Sequence, residues 1–258
     1  MNHLALEGQL AIPFANAEAI AERLARNLEG IAALNPRYCR WMPSGTRRHR
    51  SVVPGTLTWP PDQAELHTWI NESAAFESRK GRKQRVGYRL RALTPEDDSI
   101  RVDFWLTVDF TDSSWWFLNR VGITFFVARG NIWVELHRGG QNPIAFARHA
   151  LLDLGPTWDC DWAAACRGDF RWGGGERPSN APLPRYRSGW MVYLDRVCAA
   201  RVKEVQDIHV DKLPNGGALF TSTSDAIFDV GKANHWAAAL RLQEALSPLN
   251  DPDSEVGK

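Results

Sequence analysis

No stretch of this 258-residue chain approaches the roughly 20 consecutive apolar residues that a helix needs to cross a bilayer. Its first residues, Met-Asn-His-Leu-Ala-Leu-Glu-Gly, lack the basic start and apolar centre of a secretory signal, so a cytoplasmic location is expected. Charge of one sign is not in excess either. The 31 Lys and Arg against 30 Asp and Glu leave a net charge of +1, which excludes a global attraction to nucleic acid or to an anionic membrane. Any charge-driven partner must be met by a local patch. Cysteine is sparse, at Cys39, Cys160, Cys166 and Cys198, and these scattered thiols are expected to be reduced in a cytosolic protein.

Catalytic signatures are missing as well. His-Glu-x-x-His and Cys-x-x-Cys do not occur, and the spacing of His149, Cys160 and Cys166 fits no usual zinc pattern. Cys160 and Cys166 are expected as buried core thiols. There is no Gly-x-Ser-x-Gly elbow, no Walker loop and no Gly-x-Gly-x-x-Gly fingerprint. Gly173-Gly174-Gly175 lacks the strand-to-helix context of a phosphate loop and reads as a flexible connection. The Glu-x-Lys tripeptide of restriction-type nucleases is absent. Asp103 and Asp109 share the solvent side of a strand with no lysine to complete a metal site. No metal, cofactor or catalytic residue is assigned, and the chain is expected not to be an enzyme.

What is present is enough apolar material, 44% of residues against 24% charged, for a substantial core. Tryptophan is abundant (12) while Tyr (4) and Met (3) are scarce, which suits cores and binding hot spots alike. The pattern predicts a short strand over 3–12, weakened by Gly8, then a helix capped by Asn16 with Ile20, Leu24, Leu28 and Ile31 as its buried stripe. Residues 36–62 read as a long surface excursion, and 63–78 as a second helix through Leu66, Trp69, Ile70 and Phe76. Val102 to Phe110 alternates with period two and is the clearest strand. Residues 122–128 and 132–138 are expected as a hairpin about Arg129-Gly130-Asn131. Asn142-Pro143 opens a helix, and another short helix is expected over Trp158–Cys166. Residues 171–184 read as a Gly- and Pro-rich loop. Trp190–Leu194 reads as a buried strand, and Ile208–Leu213 with Ala218–Thr223 as a hairpin around Pro214-Asn215-Gly216-Gly217. A helix over Ala233–Leu246 closes the fold. The expected architecture is α+β: one domain over 1–250 built on an antiparallel β-sheet meander with flanking helices, and a polar tail over 251–258.

Three surface features remain. Arg47-Arg48-His49-Arg50 and the basic stretch Arg79–Arg91 read as solvated loops, able to meet phosphates or an acidic protein. Trp115-Trp116-Phe117, after Asp112-Ser113-Ser114, either packs against the end of the sheet or stands exposed as an apolar anchor.

The segment Arg187-Ser188-Gly189-Trp190-Met191-Val192-Tyr193-Leu194 carries a resemblance. It is preceded by Trp-Asp-x-Asp-Trp (Trp158–Trp162) and followed by the Pro-Asn-Gly-Gly turn, Ala226-Ile227-Phe228-Asp229 and a closing amphipathic helix. With Leu34-Asn35-Pro36, Trp41 and Ser44-Gly45 upstream, the chain resembles the immunity protein 52 family, found beside polymorphic toxins and type VI secretion system (T6SS) effectors. The resemblance implies a partner, a secreted toxin with a restriction-endonuclease-like nuclease domain, and neutralisation of that toxin by a non-covalent complex in the cytoplasm. The basic stretches at 47–50 and 79–91 have no counterpart in that family pattern. By residue type, Gly189, Trp190, Met191, Tyr193 and Leu194 read as a core strand. Glu96, Asp97, Asp98, Asp109 and Asp112 are the candidate imitators of DNA phosphates against a basic toxin cleft, with Trp115 and Trp116 as anchors. A nucleic-acid-binding protein using 79–91, or an adaptor for a secreted effector, are the alternative readings.

Overall fold

The computed structural model describes residues 3–11, 16–43, 56–79, 82–94, 100–109, 119–127, 130–167, 186–203, 205–223, 227–229 and 231–250, with the backbone alone for 75–79, 82–86, 89, 109 and 167. Strand β1 (Leu4–Leu10) leads to helix α1 (Ala17–Leu34), whose first turn is closed by the Asn16 side chain accepting from the Ala19 N–H. Such a cap contributes about 1 kcal/mol. Ile20, Leu24, Leu28 and Ile31 are all buried, so the spacing of four, four and three is the core stripe of α1. A 3-10 turn (Pro36–Cys39) and the two-residue strand β2 (Met42–Pro43) come next. Then follow α2 (Gln63–Glu72), β3 (Ala74–Arg79), β4 (Arg82–Leu93), β5 (Arg101–Asp109) and β6 (Arg120–Phe126). Helices α3 (Ile132–Arg138) and α4 (Pro143–Thr157) precede β7 (Cys160–Arg167) and β8 (Met191–Leu194). One turn of helix, α5 (Arg196–Ala199), the strands β9 (His209–Lys212) and β10 (Ala218–Thr221), α6 (Ala233–Ala245) and a 3-10 turn (Ser247–Asn250) complete the described chain.

These ten strands form one sheet in the order β2-β4-β5-β6-β1-β7-β8-β10-β9, with β3 also on β4. Every pairing is antiparallel. The fold is therefore α+β around an antiparallel sheet. The first strand in sequence sits at its centre, between β6 and β7. One face is covered by α1, α2, α3 and α4, against which Leu4, Leu6, Phe104, Leu106, Ile123 and Phe125 pack. Among the described residues, the opposite face is covered only toward the β7–β8–β10 side. There Trp162, Ala164, Val192, Leu194 and Phe220 meet Ala238 and Leu242 of α6 and Leu246 just beyond it. Strands β7 and β8 are thus buried on both sides, which is why Ala163–Ala165 and Met191–Leu194 read as continuous apolar runs rather than alternations.

Five expectations are corrected. Residues 132–138 are the helix α3, not a strand. Asn131 accepts from the Trp133 N–H, and Ile132, Trp133 and Leu136 are buried at i, i+1 and i+4, a helical spacing that outweighs the β-branched content. Residues 160–167 are the strand β7, not a helix. The helix propensity of its alanines yields to a slot between β1 and β8 with packing on both faces, where small side chains fit. The second helix stops at Glu72, and Phe76 belongs to β3, because pairing with β4 from Ala74 onward competes with continuing a helix through Asn71-Glu72-Ser73. The basic stretch from Arg82 onward is the strand β4, not a loop. The 36–62 segment is not wholly a surface excursion either. Tyr38, Trp41 and Leu57 are buried, and β2 pairs with β4. Residues 44–55, including Arg47–Arg50, lie outside the described residues, as do 171–184 and the tail 251–258.

Candidate interaction site

Gly189 approaches the neighbouring strand so closely that a Cβ there would lie 2.7 Å from the Ala165 carbonyl oxygen and 2.8 Å from Cys166 Sγ. That approach lets the Trp190 N–H donate to the Ala165 carbonyl (2.9 Å), and the Ser222 N–H to the Trp190 carbonyl (2.9 Å). The Trp190 indole is wholly buried, donates from Nε1 to the Thr223 carbonyl (3.1 Å), and meets Trp133 edge-on at 5.6 Å. Met191 and Tyr193 enter the core beneath α4, while Val192 and Leu194 enter the core beneath α6. Tyr193 lies on Gly155 of α4, and burial raises its phenol above the ordinary range. The Trp-Asp-x-Asp-Trp segment joins the two cores. Trp158 stacks on Phe104 (6.1 Å) and donates to Asn27 Oδ1 (3.1 Å), whereas Trp162 donates to the Arg187 carbonyl (2.9 Å) on the other side. Cys160 is buried and Cys166 half-buried.

Beside this strand lies a buried polar network. The Arg187 guanidinium, 2% exposed, donates to Glu7 Oε2 (2.6 Å) and sits 5.4 Å over the Trp162 ring. Gln9 donates to the Asn119 carbonyl (2.8 Å) and accepts from Arg120 Nε (3.4 Å). Burial, joined by the nearby Arg187 charge and opposed by Glu7, lowers the Arg120 guanidinium to about 10. Tyr186 donates its hydroxyl to Asp161 Oδ2 (2.9 Å). The sequence assigns no role to any of these residues; Arg187, Asp161 and Trp162 occur in it only as members of the motif segments. The available signal was the alternation of Leu4 and Leu6 with Glu7 and Gln9, which puts two polar side chains on the inner strand of a sheet.

Across β4, β5 and β6 the same face has no cover among the described residues. Arg91, Asp103, Trp105, Thr107, Arg120, Thr124 and Phe126 are half-buried or exposed. Arg91 grips Asp103 through two hydrogen bonds, Nε to Oδ1 at 2.9 Å and a terminal nitrogen to Oδ2 at 2.7 Å; the hydrogen bond raises the guanidinium above its usual range, against the effect of burial. The Trp105 indole lies flat over its cross-strand partner Gly122, where a Cβ would come within 2.3 Å of the ring. Arg101 stands 5.5 Å over Phe126. Forked guanidiniums and a platform-like indole are groups for recognising another surface. Among the described residues, no three His, Cys, Asp or Glu side chains are grouped to hold a metal ion, and no helix is long and apolar enough to cross a membrane.

No family model matches the chain, and no curated protein matches it in sequence. Among solved structures it is similar to a T6SS protein of Pseudomonas aeruginosa, with a TM-score of 0.56 and 13% identity over 95% of this chain and 73% of that one. At that identity the likeness is one of fold.

Of the residues predicted from the sequence, Gly189, Trp190, Met191, Tyr193 and Leu194 come together at the junction of the two cores, as above. Glu96, Asp97, Asp98, Asp112, Trp115 and Trp116 lie outside the described residues, and of Asp109 the backbone alone is described, at the end of β5. The described flanks are informative. Thr94 and Ile100 border the 95–99 connection at one end of β5, and Asp109 and Asn119 border 110–118 at the other. At about 3.3 Å per residue those ends are roughly 27 Å apart. The open face with Trp105 at its middle lies between them.

Proposed function

We propose that this chain is an immunity-type binding protein, similar to the immunity protein 52 family, which captures a secreted nuclease toxin in the cytoplasm and silences it by non-covalent association, with no chemistry of its own. The observation that carries the reading is the ordered motif set around Gly189–Leu194, in a fold that 95% of the chain has in common with a T6SS protein of Pseudomonas aeruginosa. The burial of the motif residues fits a division of labour: the motif secures the scaffold, and the surface is left for a partner. The open β4–β5–β6 face, with the 95–99 and 110–118 connections at its two ends, is the toxin-facing surface in this reading. Glu96, Asp97, Asp98, Asp109 and Asp112 imitate DNA phosphates, Trp115 and Trp116 anchor, and an interface of about 800 Å² per partner is formed. Co-expression with the product of the neighbouring gene tests it. Survival, intact genomic DNA and a co-purifying complex are expected. Cell death with no complex overturns the reading, and rescue without a complex refutes neutralisation by binding.

One observation favours a second reading. Strand β5 pairs with β4 only from Gly87 onward, whereas β3 pairs with β4 back to Arg82. A two-stranded ribbon bearing Arg79, Arg82, Lys83 and Arg85 therefore continues past the end of β5, and basic ribbons of this kind enter nucleic-acid grooves. Salt-titrated DNA and RNA binding separates the two readings. A steep fall in affinity with salt supports the ribbon as a nucleic-acid contact, and no binding at low salt removes it.

A further inference from the structure

At the β9 edge of the sheet, α5 and the segment after it stand off from the β9–β10 hairpin and leave an open groove of about 860 Å³. Its floor is apolar, with Ile208 and Phe220 buried beneath and Val210 exposed beside them. Its charged lining is entirely basic among the described residues, consisting of Arg196, Lys203 and Lys212. In a chain whose charges nearly cancel, three cations around an apolar floor are a local departure. The Arg196 stem is fixed in place. It packs on Gly216, whose φ of +83° belongs to the hairpin turn and where a Cβ would lie 2.8 Å from the arginine Cδ.

Strand β9 itself is unusual. Its residues His209, Val210 and Lys212 are exposed and Asp211 half-buried, and it is the last strand in the sheet order, with no partner on its outer side among the described residues. It is nevertheless held firmly. Asp211, which does not line the groove, is ion-paired to Arg148 of α4 and bonded to His209. Cross-strand pairing of Val210 with Phe220 and of Lys212 with Ala218 places Val210 and Lys212 on the groove side, two residues apart.

We propose that β9 is a docking edge for an extended acidic segment of the toxin. The segment adds alongside β9 as a further antiparallel strand. It sets an apolar side chain opposite Val210, over the Phe220–Ile208 floor, and a carboxylate two residues away opposite Lys212, with further carboxylates reaching Lys203 and Arg196. Main-chain pairing along a fixed edge supplies affinity, and the alternation of apolar and acidic side chains supplies specificity. This inference rests on the reading of the chain as a toxin-binding protein, and it adds a second grip remote from the β4–β5–β6 face.

The test uses the full chain and the product of the neighbouring gene, with affinity measured by calorimetry at several salt concentrations. Lys203→Glu with Lys212→Glu reverses the groove charge at exposed positions, and Val210→Asp independently opposes an acidic strand; circular dichroism verifies the fold of each. Arg26→Glu, on the exposed side of α1, is the control. Both groove variants are expected to weaken binding by about 100-fold and to flatten its salt dependence, while the control stays within about threefold. Groove variants that bind like the wild type overturn the docking edge and leave toxin binding standing. A control that weakens binding equally also overturns it, and a wild-type chain that forms no complex overturns both readings together.

Discussion

On α4 the Asp153 side chain turns toward α1, where Asn27 Nδ2 donates to it across 2.6 Å and Gly30 leaves room for its oxygens. Asn27 is itself wholly buried and also accepts from Trp158, so the carboxyl belongs to a small polar knot between two helices. Burial raises this carboxyl from 3.8 to about 6, and the Asn27 hydrogen bond offsets only part of that. The consequence for stability has a definite sign. Below 3.8 the carboxyl is protonated folded or unfolded and there is no penalty. As pH rises from 3.8 to 6 the unfolded chain releases its proton more readily than the folded one, so stability falls. Above 6 the loss is complete. A displacement of about two pH units corresponds to roughly 3 kcal/mol. Asp153→Asn keeps an acceptor for Asn27 and cannot ionise. Its stability relative to wild type should therefore rise by about 2 kcal/mol between pH 4.5 and pH 8, most of the penalty falling in that window. Any fixed cost of seating the new amide, on the order of 1 kcal/mol, is the same at both pH values and drops out of the comparison. Urea unfolding of both proteins at the two pH values measures this directly. A difference that does not change with pH, or that changes in the opposite direction, refutes the assignment of Asp153 as a carboxyl buried against its charge.

The neighbouring Gly30→Ala would ordinarily gain about 1 kcal/mol in a helix interior. Here the new Cβ would sit 2.2 Å from Asp153 Oδ1, so thermal melting should show a loss of about 1–3 kcal/mol, reversed to a gain in an Asp153→Ala background. Gly189→Ala places its Cβ against the Ala165 carbonyl, which is backbone and cannot swing away; a loss of about 2–3 kcal/mol by urea titration is expected, and a neutral result would mean the strands are not packed as described. Arg187→Met strips Glu7 of its buried ion-pair partner and should cost about 3–5 kcal/mol, with much of that recovered by adding Glu7→Gln. A double-mutant cycle with no coupling between the two sites would rule out the pairing.

How much of this the residues disclose depends on which force decides each segment. The stripe Ile20–Leu24–Leu28–Ile31 and the alternation Val102–Phe104–Leu106–Val108 are legible because one face is buried and the other is not, so period alone identifies helix and strand. The Pro214–Gly217 turn is legible because its chemistry is local: Asn215 accepts from the Gly217 N–H and Gly216 takes positive φ. Strand β7 is not legible, because the burial of Ala163–Ala165 on both faces needs β1 and α6, which are distant in sequence, as well as β8 and α4. Helix α3 is hard to read because its β-branched residues obscure the Asn131 cap and the glycines that end it. The Glu7–Arg187 pair joins residues 180 apart, a separation at which no spacing rule applies.

The row of cross-strand partners running Arg91–Trp105–Gly122–Glu7–Ala164–Val192–Phe220–Val210 crosses the sheet from β4 to β9 on one face. Its composition changes abruptly. From Ala164 to Phe220 it is apolar and lies under α6, whereas at the two ends, around Trp105 and Val210, it is accessible and flanked by arginine or lysine. Glu7 stands at the boundary on β1, and Arg187 closes over it. A charged pair costs desolvation that an apolar pair would avoid, so its place at a seam needs a reason other than stability. The seam marks where the cover must stop. An apolar residue at position 7 would extend the greasy strip toward Gly122 and Trp105 and favour packing against that strip, whereas the carboxylate and guanidinium tie β1 to the segment before β8 and end the apolar cover there. The same side of one sheet is then core in the middle and accessible at both ends, where the proposed toxin contacts lie.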